Sequence, residues 1–196
     1  MASDIRRWIV RTTAGEAVGF AVAASAGVFV ATNDIPVQAA FVVMIAAGTI
    51  EGALLGAGQW AGLPGLRPRG GAWIAATAAG AALAWTLGML PSTIGFDPAS
   101  PFAPVVFVGG AAALLACIPT AQWLVIRRRT ALRWIPINMV AWAVGLLWTL
   151  APSPLVDERS PLPVVLALYV AAGALMAVTV AAVTASTAVR LFPRLR

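Results

Sequence analysis

Apolar residues along this chain fall into six long runs, separated by short segments that collect prolines, glycines and charges. The runs lie at about residues 12–32, 37–60, 72–90, 104–126, 134–151 and 162–188. Each holds roughly 18–27 residues, against the roughly 20 that a helix needs to cross the hydrocarbon core. Lipid offers the backbone no hydrogen bonds, so only helices or a closed barrel can span it. Barrel strands would be about half as long and would alternate polar with apolar positions. The pattern therefore predicts an all-α polytopic integral membrane protein, with six transmembrane helices forming one domain over residues 1–196. The first run follows Arg6, Arg7 and Arg11 and has the outline of a secretory leader cleaved after Ala24-Ser25-Ala26. Arg11 and Glu16 interrupt its core, however, and Val28-Phe29-Val30 prolong it, so it reads as a retained helix.

The loops orient the chain. Arg6, Arg7 and Arg11, then Arg67 and Arg69, the cluster Arg127-Arg128-Arg129 with Arg133, and Arg190, Arg194 and Arg196 all fall on one side. Arg159 alone falls on the other, with Asp34, Asp97, Asp157 and Glu158. Positive charge in short loops stays cytoplasmic. The expectation is a bacterial cytoplasmic (inner) membrane protein with both termini in the cytoplasm.

An internal repeat overlies the runs. Gln59-Trp60 recurs as Gln122-Trp123, and Trp85-Thr86-Leu87 recurs as Trp148-Thr149-Leu150, both at an offset of 63 residues. Helices two and three then form a hairpin that helices four and five repeat, in the same orientation. Trp8-Ile9, Trp73-Ile74 and Trp134-Ile135 each open an outward-going helix, which extends the pattern in weaker form to a third hairpin split between helices six and one. Gly48, Gly52 and Gly56, and Gly15 and Gly19, recur every four residues. Such small-residue ridges let helices approach closely.

Composition sharpens the picture. The chain is 61% hydrophobic and 10% charged, where soluble domains are about 25% charged. Its 13 basic residues are all arginine, which fits a high-GC bacterial genome, and they give a net charge of +6. Their clustering between apolar runs speaks for topology rather than nucleic acid. The chain has no histidine and a single cysteine, Cys117, inside an apolar run. That removes most zinc, haem and imidazole chemistry. No phosphate loop or nucleophile elbow is present. The expectation is no enzyme, no cofactor and no metal.

Two carboxyls stand out. Glu16 lies eight residues beyond Trp8, about 12 Å along a helix, and Glu51 lies nine before Trp60, about 13–14 Å. Trp8, Trp60, Trp73, Trp123 and Trp134 are expected at the membrane interface, which puts both carboxyls at one depth on consecutive antiparallel helices. A charge near the bilayer centre costs about 2.5–3.5 kcal/mol. The pair is therefore a candidate site for sharing or relaying a proton, for binding a cation, or for holding the bundle together as protonated acids. Arg11 is a potential partner or an interfacial anchor. Gln59, Trp60, Gln122, Trp123, Arg127, Arg128 and Arg129 are candidates for interfacial or lipid-headgroup contacts, and Thr77 and Asn138 for bonds between helices.

These features predict a non-catalytic inner-membrane component, either accessory to a larger membrane complex or lipid-binding. Membrane lipids, other membrane subunits or further copies of itself would be its partners. The alternative is a small proton- or cation-dependent transporter or channel that uses Glu16 and Glu51.

Overall fold

A computed structural model describes residues 1–65, 67–157 and 159–193. Glu158, Arg194 and Arg196, which the orientation reading uses, lie outside them. The described chain is helical, with α1 at Ala2–Thr32, α2 at Val37–Gly62, α3 at Gly70–Thr93, α4 at Ala103–Ile126, α5 at Trp134–Leu150 and α6 at Leu162–Leu191. Six helical segments are long and apolar enough to cross a membrane.

Several boundaries differ from the apolar runs. α1 begins at Ala2, ahead of its run, because its polar first turns still carry an inward stripe: Asp4, Trp8, Thr12 and Glu16 recur every four residues and are buried. α3 was expected to stop at Pro91 but continues to Thr93. A proline in a final turn forfeits only one bond of the helix ladder. α6 runs on to Leu191 for the reason seen in α1, with Thr184, Thr187 and Ala188 facing inward. The links are short. Asn33 and Asp34, the latter left-handed at φ 50°, turn the chain into α2, and Arg127 ends α4 in a left-handed cap at φ 52°.

Each helix packs on its neighbours in sequence, and α6 returns to α1, which closes a ring. Glycines set most of the seams. A Cβ on Gly15 would lie 3.0 Å from Gly58 Cα, joining α1 to α2. A Cβ on Gly52 would lie 2.9 Å from the Thr77 carbonyl, joining α2 to α3. A Cβ on Gly80 would lie 2.7 Å from Ile118 Cα, joining α3 to α4. A Cβ on Gly145 would lie 2.9 Å from Val180 Cγ2, between α5 and α6, and Gly173 accommodates the Phe20 ring between α6 and α1. The α4–α5 seam is the sparsest, and no glycine of either helix approaches the other there. Residues 104–113 of α4 are exposed apart from half-buried Gly110, with Val105 at 74% and Val108 at 72%.

The ring is sealed at the end where α1, α3 and α5 begin. Trp8, Trp73 and Trp134 are fully buried there, with Leu63, Ala131, Ala188 and Phe192 around them. Trp134 stands edge-on to Trp8, with centroids 6.0 Å apart, and lies 6.2 Å from Trp73. These three indoles were expected in an interfacial belt. They instead point into the bundle axis, because the stripe that carries Glu16 and its counterparts passes through them. Arg7 ties α1 to the end of α2 by donating to the Gly62 and Leu63 carbonyls.

The glycine seams generate a prediction. Gly80→Val should destabilise the purified protein by about 1–3 kcal/mol through overpacking, read as a lowered thermal midpoint. Gly71→Val, where a Cβ has no neighbour within 4 Å, should cost much less than Gly80→Val, about the spread of surface substitutions. Equal losses would show that close approach at Gly80 does not hold the α3–α4 seam.

Candidate functional site

Above the tryptophan seal lies a polar layer. One turn on from Trp8, Trp73 and Trp134 stand Thr12, Thr77 and Asn138, all fully buried. Gln59 and Gln122 reach the same layer from α2 and α4, also fully buried. Gln122 Nε2 donates to Gln59 Oε1 at 2.7 Å and to Thr77 Oγ1 at 2.9 Å, and its Oε1 accepts from Trp134 Nε1 at 2.8 Å. Asn138 Nδ2 donates to the Trp134 carbonyl at 2.8 Å. Trp8 Nε1 lies 3.1 Å from both the Ala181 carbonyl and Thr184 Oγ1. The two glutamines were expected at the membrane surface. They bond one another in the interior instead, since neither headgroup nor loop can reach them there.

Two turns on from the same tryptophans stand Glu16, Ala81 and Trp142, and Glu51 joins them from α2. Glu16 is fully buried and Glu51 is 8% exposed. Their carboxyl groups lie close enough for a shared hydrogen bond once one of them carries a proton. Glu51 Oε2 accepts from Trp85 Nε1 at 2.8 Å, while neither Glu16 oxygen meets an N–H or O–H donor. Gly19 and Gly48 create the space: a Cβ on Gly19 would lie 2.9 Å from Glu51 Cα, and one on Gly48 would run into the Trp85 indole. Trp85 is thus seated against α2 with its N–H aimed at the carboxyl.

Both carboxyls line a cavity of about 390 Å³ inside the ring. Apart from Thr149, the rest of its wall is apolar and aromatic, including Phe20, Trp85, Trp142, Leu115 and Met176. Its carboxyl end is closed by buried Gly52, Leu55, Ala81 and Ile118. The opposite end, at Gly88, Leu114, Leu146 and Thr149, is half-buried to exposed. The cavity therefore opens away from the tryptophan seal, beside the exposed stretch of α4. Pro119 sits below this point in α4, where it cannot donate to the helix ladder.

The remaining candidates disperse. Arg11 is exposed and pairs with neither Glu16 nor Glu51. Trp60 Nε1 bonds the Pro68 carbonyl at 3.0 Å, and Arg67 stacks 4.9 Å above its ring. Trp123 Nε1 bonds the Arg128 carbonyl at 3.2 Å. These two indoles staple their own loops. Arg127 Nε caps its own helix through the Leu124 carbonyl at 2.9 Å, while Arg128 and Arg129 are exposed. Sequence reasoning places Trp85 and Trp142 deeper in the bundle, as bulk filling between alanine-rich helices or as a stacking surface for a pigment or quinone, but passes over Thr12 and the inward role of Trp8, Trp73 and Trp134. Their four-residue spacing to one another and to Glu16 was the available signal. No family model, curated protein or solved structure matches the chain.

The glutamine pair generates a prediction. Gln59→Leu and Gln122→Leu should each cost about 1–3 kcal/mol by stranding buried partners. Together they should cost less than the sum, by about 0.5–3 kcal/mol, because the second change removes a group already stranded. A double-mutant cycle of denaturation midpoints in detergent checks this. Simple additivity would show that the two amides do not act as a unit.

Proposed function

We propose that this chain is a carrier in the bacterial inner membrane, with both termini cytoplasmic, whose central cavity takes a small lipophilic cation in exchange for a proton. The observation that supports this most is one cavity, apolar and aromatic over most of its wall, with Glu16 and Glu51 together at its closed end. A pocket of this kind selects ligands that are largely apolar and carry a few well-placed polar groups. Here those polar groups are acids, and the aromatic faces of Phe20, Trp85 and Trp142 add attraction for a cation.

The exchange follows from electrostatics. An unpaired charge in an apolar interior is expensive. With the cavity empty, a proton on the pair lowers that cost. With a cation bound, a carboxylate neutralises the ligand and the proton leaves. The two states balance charge in the same space, which is what coupling requires. The arginine distribution supports the orientation, and the cavity mouth then faces the outer side.

The same reading takes α2–α3 and α4–α5 as copies of one hairpin, with α6–α1 as the split third. The equivalent placement of Trp8, Trp73 and Trp134 around one axis supports it. Glu16 and Glu51 break the repeat, since the matching positions hold Ala81, Trp142 and Leu114. A chemical role in one sector explains that asymmetry better than packing does. The second reading, an accessory membrane subunit with no ligand of its own, draws on the exposed surface of residues 104–113 of α4, which a partner helix or lipid would cover.

Titration with benzyltrimethylammonium, followed by tryptophan fluorescence through Trp85 and Trp142, tests the carrier reading. Binding should be saturable and should weaken about tenfold or more, roughly 1.4 kcal/mol, in Glu51→Gln. The uncharged carbon isostere of the ligand should also bind more weakly. Glu51→Gln keeps an acceptor for Trp85, so its thermal midpoint should stay near that of the unaltered chain. Equal affinity for the cation and its neutral isostere would sink the proposal.

A further inference from the structure

We infer that the polar layer between the tryptophan seal and the carboxyl pair binds ordered water, and that this water carries protons between Glu16 and the Gln59–Asn138 layer against the seal. The water site stands independently of the ligand assigned above. Its use for proton transfer rests on the carboxyl pair titrating as proposed there.

The observation is a column of buried polar atoms with no partner. Thr12 Oγ1, Gln59 Nε2, Trp73 Nε1 and Asn138 Oδ1 are all unpartnered, and each belongs to a fully buried side chain. Trp142 Nε1 continues the series toward the cavity, where Glu16 stands beside Glu51. Trp8, Thr12 and Glu16 rise along one face of α1 in steps of four residues, about 6 Å each. That step is about the separation that one water bridges with a hydrogen bond on either side.

The chemistry of the set selects the occupant. A buried polar group without a partner costs about 1–3 kcal/mol, so a layer of four is a strong demand for hydrogen bonds. Gln59 and Trp73 offer N–H donors, Asn138 offers an acceptor, and the Thr12 hydroxyl offers either. A cation finds too few acceptors, and among the described residues no group of three or more acidic or thiol side chains could hold a metal. An anion would sit one helical turn from the two acids. An apolar ligand would leave every group stranded. Water both donates and accepts, and buried waters ordinarily make about three bonds to groups of this kind.

Transfer needs no other reactant. The O–H bond of protonated Glu16 breaks as a neighbouring water oxygen takes the proton. That water releases one of its own protons to the next, toward Thr12 and the Gln59–Asn138 layer. No net covalent change remains in the layer. The route brings protons from Glu16 to the inner side of the packed indoles of Trp8, Trp73 and Trp134.

Hydrogen–deuterium exchange of the Glu16 carboxylic group in the full chain tests this. It is followed by the infrared carbonyl band after a switch to heavy water, and Glu16→Gln identifies the band. Thr12→Val and Asn138→Leu should each slow the exchange about tenfold, while Thr12→Ser should exchange at the rate of the unaltered chain. Benzyltrimethylammonium affinity should be unchanged in all three, so loss of cation binding with exchange intact would sink the carrier reading and leave the water route standing. Unchanged exchange in both Thr12→Val and Asn138→Leu would overturn the route. In the unaltered protein, radiolytic labelling with oxygen-18 water should mark Trp73 despite its full burial, and an unlabelled Trp73 beside labelled exposed residues would overturn the water site.

Discussion

Two carboxyl groups held together inside an apolar ring are the constraint to which the rest of the structure answers. A bundle built from alanine, glycine, valine and leucine gains nothing in stability from acids at its axis, and burying them is costly. The structure meets that cost locally. Trp85 donates to Glu51, and Gly19 and Gly48 let α1 and the Trp85 indole come within contact of α2. The tryptophan seal and the Gln59–Gln122 bond then close one side. The far side stays open, where α4 carries exposed valines and meets α5 only sparsely. Closed at one end and open at the other, the cavity presents its acids at the bottom.

Lateral packing follows the same logic. Helices in lipid lack a hydrophobic drive to associate, so backbone approach at small residues carries much of the contact. Glycines hold five of the six seams, and the sixth, between α4 and α5, lies beside the cavity mouth. The least constrained part of the ring is therefore at the cavity mouth.

Six apolar runs were legible in the sequence because a helix fit to cross lipid needs a set length and an unbroken apolar character, and six helices of this chain have both. Their ends were less legible. Hydropathy registers Arg6, Arg7 and Arg11 as the end of a span, whereas the structure continues α1 because Trp8 and Thr12 share the stripe of Glu16. The depth of Glu16 and Glu51 could be counted in residues from tryptophan markers, and the structure places both on one cavity wall. One of those markers, Trp8, is not in the belt assumed for it. A tryptophan near a helix end looks the same in sequence whether it faces headgroups or a neighbouring indole. The glutamines were misplaced for the same reason: the 63-residue offset put them at equal depth, but not on the axis. The Trp85 bond to Glu51 and the Arg7 clamp on α2 depend on helix rotation and approach, which no periodicity in this chain encodes.

The central claim is that the cavity trades a cation for a proton, so the decisive measurement counts protons. Benzyltrimethylammonium is titrated into the detergent-solubilised chain by calorimetry, at one pH, in several buffers of differing ionisation enthalpy. The account predicts that the observed heat varies linearly with buffer ionisation enthalpy, with a slope of about one proton released per cation bound. It also predicts that this slope vanishes when Glu16→Gln and Glu51→Gln are combined. Saturable binding with a heat independent of buffer would show a cation bound without proton exchange, and would contradict it.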